Sequence, residues 1–126
     1  MNLRVDAMAL LPIIEAPHPI LSKKARIVTP DEFGPDLIEH LENMVETMYD
    51  APGVGLAAPQ VGDSRRILVA DPSNNDDGDL PTLFKMVNPQ IIAHSKDFIT
   101  YEESCLSVPE FYLNVRRYRE ITVEWK

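Results

Sequence analysis

Pro35-Asp-Leu-Ile-Glu-His-Leu-Glu-Asn-Met-Val-Glu-Thr-Met-Tyr-Asp50, running straight into Ala-Pro-Gly-Val-Gly-Leu-Ala-Ala-Pro-Gln60, decides the fold class. Leu37, Leu41, Met44, Val45 and Met48 recur at helical spacing and draw one apolar stripe, while Glu39, His40, Glu42, Asn43 and Glu46 fill the opposite face. Just upstream, Thr29-Pro30-Asp31-Glu32 has the pattern of a capping box with proline in the first turn. Gly34-Pro35 offers a second start, so a short turn is expected before the main helix. Asp50-Ala51-Pro52-Gly53 stops the helix.

On either side of this helix the pattern changes. Leu11 to Val28 is divided by Pro12, Pro17 and Pro19 and reads as extended and irregular. Arg66–Ala70 reads as a buried strand, Pro72–Gly78 as a polar loop tip, and Phe84–Val87 and Ile91–Tyr101 as further strands. In Arg119–Lys126, Ile121, Val123 and Trp125 alternate with Thr122, Glu124 and Lys126, which predicts a strand with one buried face. No turn signal or partner follows it, so the chain looks cut, with an open sheet edge. The expected fold is α+β: mostly antiparallel strands around one main helix, in one domain spanning residues 1–126.

Composition removes several function classes. The net charge of -8 leaves no basic stripe to neutralise phosphates, and the densest basic cluster is Arg116, Arg117 and Arg119, which reads as an ordinary solvated face. The apolar run Ala7–Ile14 is broken by Pro12 and is too short to span a bilayer. With Met8 a second candidate start, Met1–Ala7 can be an extension. The single cysteine excludes an intrachain disulfide. Neither nucleic acid nor membrane is an expected partner, and the expected location is cytoplasmic.

Two segments carry chemistry. In Gly53-Val-Gly-Leu-Ala-Ala-Pro-Gln60-Val-Gly62, two glycines one residue apart let a ligand approach the backbone. Leu56, Ala57 and Ala58 read as a tightly packed strand, and Gln60 offers an amide donor. On spacing alone a Gly-rich turn feeding a strand is the favoured reading, and without a following Lys-Ser/Thr it is no phosphate loop. The second segment is Glu102-Glu103-Ser104-Cys105-Leu106-Ser107-Val108-Pro109. A lone cysteine is commonly a buried, inert residue. Flanked by Glu102 and Glu103, this thiol is poorly placed as a free nucleophile, whereas a metal would deprotonate it.

Together and in this order, the two segments resemble peptide deformylase. The first matches that family's GxGLAAxQ motif and the second its EGCLS motif, with Ser104 in place of glycine. Pro12–Arg26, Glu46–Asp50 and Val108–Tyr112 look similar too, so the resemblance covers nearly the whole chain from Leu11 onward. It implies release of formate from N-formylmethionyl peptides. Cys105 would be one of three protein ligands to a divalent metal, Fe2+ with Zn2+ equally suited by softness. Gln60 and the backbone N–H of Leu106 would stabilise the formyl oxygen as charge grows on it. Val54 and Gly55 would hold the substrate backbone, and Glu103 and Ser104 would line the methionine pocket. Transient contact with the ribosome is a further expectation.

The family's third motif, the HExxH helix that supplies two histidine ligands and a glutamate base, is absent from these 126 residues. His18, His40 and His94 are followed by Pro19, Leu41 and Ser95, and no two have the i, i+4 spacing that presents both rings to one metal. Each reads as an ordinary surface or strand histidine. The expectation is therefore the N-terminal portion of a deformylase, lacking the C-terminal metal-binding helix, with no stably bound metal and no turnover by itself. The alternatives are a non-catalytic peptide-binding module and one half of a split enzyme.

Overall fold

The computed structural model describes residues 10–73 and 82–125. The short N-terminal helix α1 (Pro19–Ser22) is followed by a 3-10 turn at Pro30–Glu32 and the main helix α2 (Pro35–Asp50). Among the described residues seven strands follow: β1 (Gly55–Ala57), β2 (Ile67–Ala70), β3 (Phe84–Val87), β4 (Gln90–His94), β5 (Phe98–Cys105), β6 (Val108–Tyr118) and β7 (Ile121–Glu124). β1, β2 and β3 form one sheet with β2 central, and β4–β7 and β5–β6 form two further ladders. Every strand pair in these sheets is antiparallel.

The predicted stripe is the core of the protein. Leu37, Met44 and Met48 are buried, and Leu41 and Val45 pack against the same cluster from its margin. Facing them are Leu56 of β1, Ile67 and Val69 of β2 and Val87 of β3, with Val28 and Ala58 closing the sides. β2 is buried only at alternate residues, Ile67 and Val69, because α2 covers one face of the sheet. Thr47, which breaks the apolar pattern, is also buried. Its hydroxyl donates to the Asn43 carbonyl at 2.7 Å and accepts from the Leu11 N–H at 2.8 Å, tying the N-terminal segment to the helix.

The turn before α2 forms as expected. Glu32 Oε1 accepts from the Thr29 N–H at 3.0 Å, and Arg26 clamps the same carboxylate with two contacts of 2.7 and 2.9 Å. That clamp holds the Glu32 carboxyl well below the usual carboxylate range. The Asp97 and Glu103 carboxyls are likewise lowered by hydrogen bonds from Arg119 and Arg117. A carboxyl with a depressed folded-state pKa stabilises the fold above its unfolded pKa, and this is lost as pH falls. Thermal midpoints are therefore expected to be level from neutral pH to about 5 and to drop steadily below about 4. A midpoint unchanged at about pH 2.5 would show that these pairs contribute nothing.

Three expectations need correction. The single strand foreseen over Ile91–Tyr101 is interrupted at Ser95–Asp97, where Ser95 Oγ bonds the Asp97 carbonyl at 3.0 Å, and its halves join different ladders. The last strand pairs on one side only: β7 joins β4 upstream in register Gln90↔Glu124 to His94↔Ile121, and its other edge is open among the described residues, as expected. Its apolar face is only partly buried: Val123 is half-buried, while Ile121 is 50% and Trp125 42% exposed, with Trp125 meeting Phe84 of β3 edge-on at 6.0 Å. The N-terminal segment is not wholly irregular, since His18 Nδ1 caps α1 by accepting from the Ile20 N–H at 3.2 Å. Of the other expectations, residues 74–78 of the loop tip, residues 7–9 of the apolar run and Lys126 lie outside the described residues.

Candidate functional site

The two motifs meet although some 45 residues separate them. The first begins where α2 ends, with the Gly53 N–H donating to the Met48 carbonyl at 2.7 Å. A Cβ at Gly53 would lie 2.9 Å from Leu106 Cδ1, so the second motif packs closely over the first at this glycine. Val54 is 69% exposed, and its carbonyl accepts from the Asp71 N–H at 2.9 Å. β1 then runs along the outer edge of its sheet, with Gly55 opposite Ala70.

The strand foreseen through Leu56, Ala57 and Ala58 ends one residue early. Ala58–Val61 turn into a 3-10 helix with Pro59 in its first turn, closed by Gly62 at φ 89°, a left-handed conformation natural to glycine. This turn aims Gln60. Its Oε1 accepts from the Ala57 N–H at 3.0 Å, which sends Nε2 toward the second motif, 3.2 Å from Ser107 Oγ and 3.5 Å from Cys105 Sγ.

Cys105 ends β5, and Leu106-Ser107 form the two-residue turn into β6, with Cys105 paired opposite Val108. The register shifts between Glu103 and Cys105, which makes Ser104 a bulge. Asn88 is the one non-glycine residue with positive φ among the described residues, so serine replaces the motif glycine at Ser104 without left-handed strain. Cys105 is an exposed free thiol, Ser104 is exposed, and Ser107 is 3% exposed.

A staple from the N-terminal segment locks both motifs together. The Ile14 N–H donates to the Gln60 carbonyl and the Ala16 N–H to the Ser107 carbonyl, each at 2.7 Å. The result is a cleft of about 370 Å³ lined by Pro52, Gly53, Val54, Gly55, Gln60, Ser104, Cys105 and Leu106.

Of the residues singled out from sequence, Val54, Gly55, Gln60, Ser104, Cys105 and Leu106 thus share one cleft. Glu103 is not among its walls: its carboxylate is held by Arg117 at 2.5 and 2.6 Å. Ser107 was missed. Its place in the motif was the available signal, but its role as the second anchor of Gln60 is a tertiary fact. The basic cluster is engaged within its own strands, Arg117 with Glu103, Arg119 with Asp97, and Arg116 4.0 Å over the Phe98 ring. The histidines stay apart: His18 caps α1, His94 stacks on Tyr118 at 3.8 Å, and His40 Nε2 lies 3.0 Å from Asp63 Oδ2 without the alignment of a hydrogen bond.

The donor set tests whether a catalytic metal fits. Among the described residues no group of three or more His, Cys, Asp and Glu side chains could hold one. Cys105 alone supplies one of the three protein ligands such a metal requires. These residues do not complete a metal centre. No helix among the described residues is long and apolar enough to cross a membrane.

The family model for polypeptide deformylase matches residues 10–126. Peptide deformylase of Agrobacterium fabrum is 39% identical over 118 residues, covering 94% of this chain and 67% of that protein. That of Syntrophobacter fumaroxidans is 45% identical over 116 residues, covering 92% and 65%. The crystal structure of peptide deformylase from Thermotoga maritima superposes with a TM-score of 0.83 at 37% identity, covering 93% of this chain and 74% of that one. A Met-Ala-Ser-bound class I type b peptide deformylase from Acinetobacter baumannii gives 0.82 at 32% identity, covering 92% and 76%. The 126 residues thus span about two thirds to three quarters of these relatives, with both motifs inside the matched part. By sequence and by fold, the chain belongs to the polypeptide deformylase family.

Proposed function

We propose that this chain supplies the substrate cradle, the oxyanion donors and one metal ligand of a deformylase acting on N-formylmethionyl peptides. The observation that carries the reading is the convergence of the Gly53–Gly55 edge, the Gln60 amide and the Cys105-Leu106 corner in one cleft. An extended peptide adds to the free edge of β1, held by backbone hydrogen bonds beside Val54 and Gly55. Its formyl oxygen lies against Gln60 Nε2 and the Leu106 N–H, two donors fixed before substrate arrives. Ser107 and the Ala57 N–H fix the Gln60 amide in place, so little rearrangement accompanies binding. Ser104 borders the methionine side chain, and Glu103 supports that wall through its pair with Arg117. The substrate in the cell is the nascent chain, which brings transient contact with the ribosome.

The metal, Fe2+ or Zn2+, would supply an activated water when bound. Cys105 would be its one ligand among the described residues, so a complete centre requires further donors. Two measurements check this. Purified 126-residue protein loaded with Fe2+ and desalted is expected to keep far less than one equivalent and to release no formate from a formylmethionyl peptide. An equimolar, tightly held metal with turnover would contradict it.

Gln60→Glu separates the two roles of that side chain. It keeps an acceptor for the Ala57 N–H but removes the donor, and is expected to weaken formylmethionyl-peptide binding about ten-fold at a nearly unchanged melting temperature. Unchanged affinity in a titration would remove Gln60 from the site.

A further inference from the structure

Gly62, which ends the turn carrying Gln60, also opens the wall of a second pocket. This cavity of about 290 Å³ is lined by Lys23, Lys24, Arg26, Gly62, Asp63, Ser64 and Arg65. Four cationic side chains in one small cavity are unexpected in a protein of net charge -8.

The carboxylates nearby are already matched. Arg65 grips Asp63 through contacts of 2.7, 2.8 and 3.0 Å and reaches Glu32 at 3.3 Å, while Arg26 takes both oxygens of Glu32. These pairs offset the charges of both guanidinium groups. Lys23 and Lys24 are exposed and engage no side chain among the described residues, so two ammonium groups are left over.

Ser64 adds an independent sign. Its Oγ is buried and has no hydrogen-bond partner among the described residues. Its position is fixed, because its carbonyl accepts from the Arg26 N–H at 3.0 Å in the bridge that joins Arg26 to Arg65. A buried hydroxyl left unmatched in a cationic wall is matched by an anion that brings acceptor oxygens.

We infer that the pocket between Lys23-Lys24 and the Gly62–Arg65 loop binds a phosphate group. Two uncompensated ammonium groups match the charge of a phosphate, which is close to a dianion at neutral pH. Donors on two sides of the cavity ask for more acceptor directions than the two oxygens of a carboxylate present. The pocket is separate from the peptide cleft, and the inference stands whether or not the chain binds formylmethionyl peptides.

Isothermal titration with inorganic phosphate and with AMP, at ionic strength matched by sodium chloride, tests it. Saturable binding of one equivalent is expected. Affinity should fall about ten-fold or more in the Lys23→Ala/Lys24→Ala double variant and severalfold in Ser64→Ala, while Lys96→Ala, an exposed lysine elsewhere, binds as the parent does. Tighter binding of AMP identifies the phosphate of a larger small molecule, and equal binding identifies free phosphate; both uphold the inference. Lack of saturable binding, or equal loss in Lys96→Ala and the double variant, overturns it. Both pocket lysines are exposed, so Lys23→Gln/Lys24→Gln provides a second, fold-neutral check.

Discussion

Met48→Ala is expected to lower the free energy of unfolding by about 3 kcal/mol, measured by urea denaturation. Met48 is fully buried, as is Met44 one turn before it, and both project from α2 onto the sheet. Removing the thioether chain loses its transfer free energy and opens a cavity. The site has little freedom to collapse. The adjoining Thr47 pins the helix to Leu11, and the Gly53 N–H bonds the Met48 carbonyl at 2.7 Å, fixing the start of the site loop. Met48→Leu, which nearly conserves volume, is expected to cost less than about 1.5 kcal/mol. Domains of this size are stable by about 5–15 kcal/mol, so combining Met44→Ala with Met48→Ala should remove most of the margin. A loss below about 1 kcal/mol for Met48→Ala would mean that this helix does not form the core.

Asn88→Ala should be nearly as damaging, at about 3 kcal/mol. Asn88 has φ 54°, and its side chain accepts from the Val28 N–H at 2.7 Å and donates to the Val28 carbonyl at 2.9 Å. It therefore closes both backbone groups of a residue only 2% exposed, sixty positions away. Alanine leaves those groups unmatched and adds a Cβ in left-handed backbone, whereas Asn88→Gly leaves them unmatched but relieves the backbone. Glycine should thus be less harmful by about 1 kcal/mol. Equal losses would show that backbone strain is immaterial, and two neutral variants would show that the clamp is.

Local signals made the helix and its capping turn legible: a regular apolar stripe, a Thr-to-Glu cap and a Pro-Gly stop. β6 was not legible, because Val108–Tyr118 mixes proline, asparagine and arginine without clean alternation and is a strand by pairing with β5. The partner of β7 was equally hidden, since β4 is reached across a whole intervening hairpin. At the site, Gln60 and Cys105 could be named from motifs, but what orients them could not. Ser107 meets Gln60 across 47 positions, and the Ile14 and Ala16 amides that staple the motifs belong to a segment read as irregular. Glu103 shows the limit of carrying a role over from a motif: it is not among the cleft's walls, and its carboxylate is held by Arg117 of the neighbouring strand.

The most direct test of the proposed cradle is an amide chemical-shift titration of the 126-residue protein with N-formyl-Met-Ala-Ser. The expected result is saturable shifts concentrated at the Val54, Gly55 and Leu106 amides and the Gln60 side-chain NH2, weakened in Gln60→Glu. Shifts that are absent, or confined to surfaces away from these residues, would contradict the assignment of this cleft to formylmethionyl peptides.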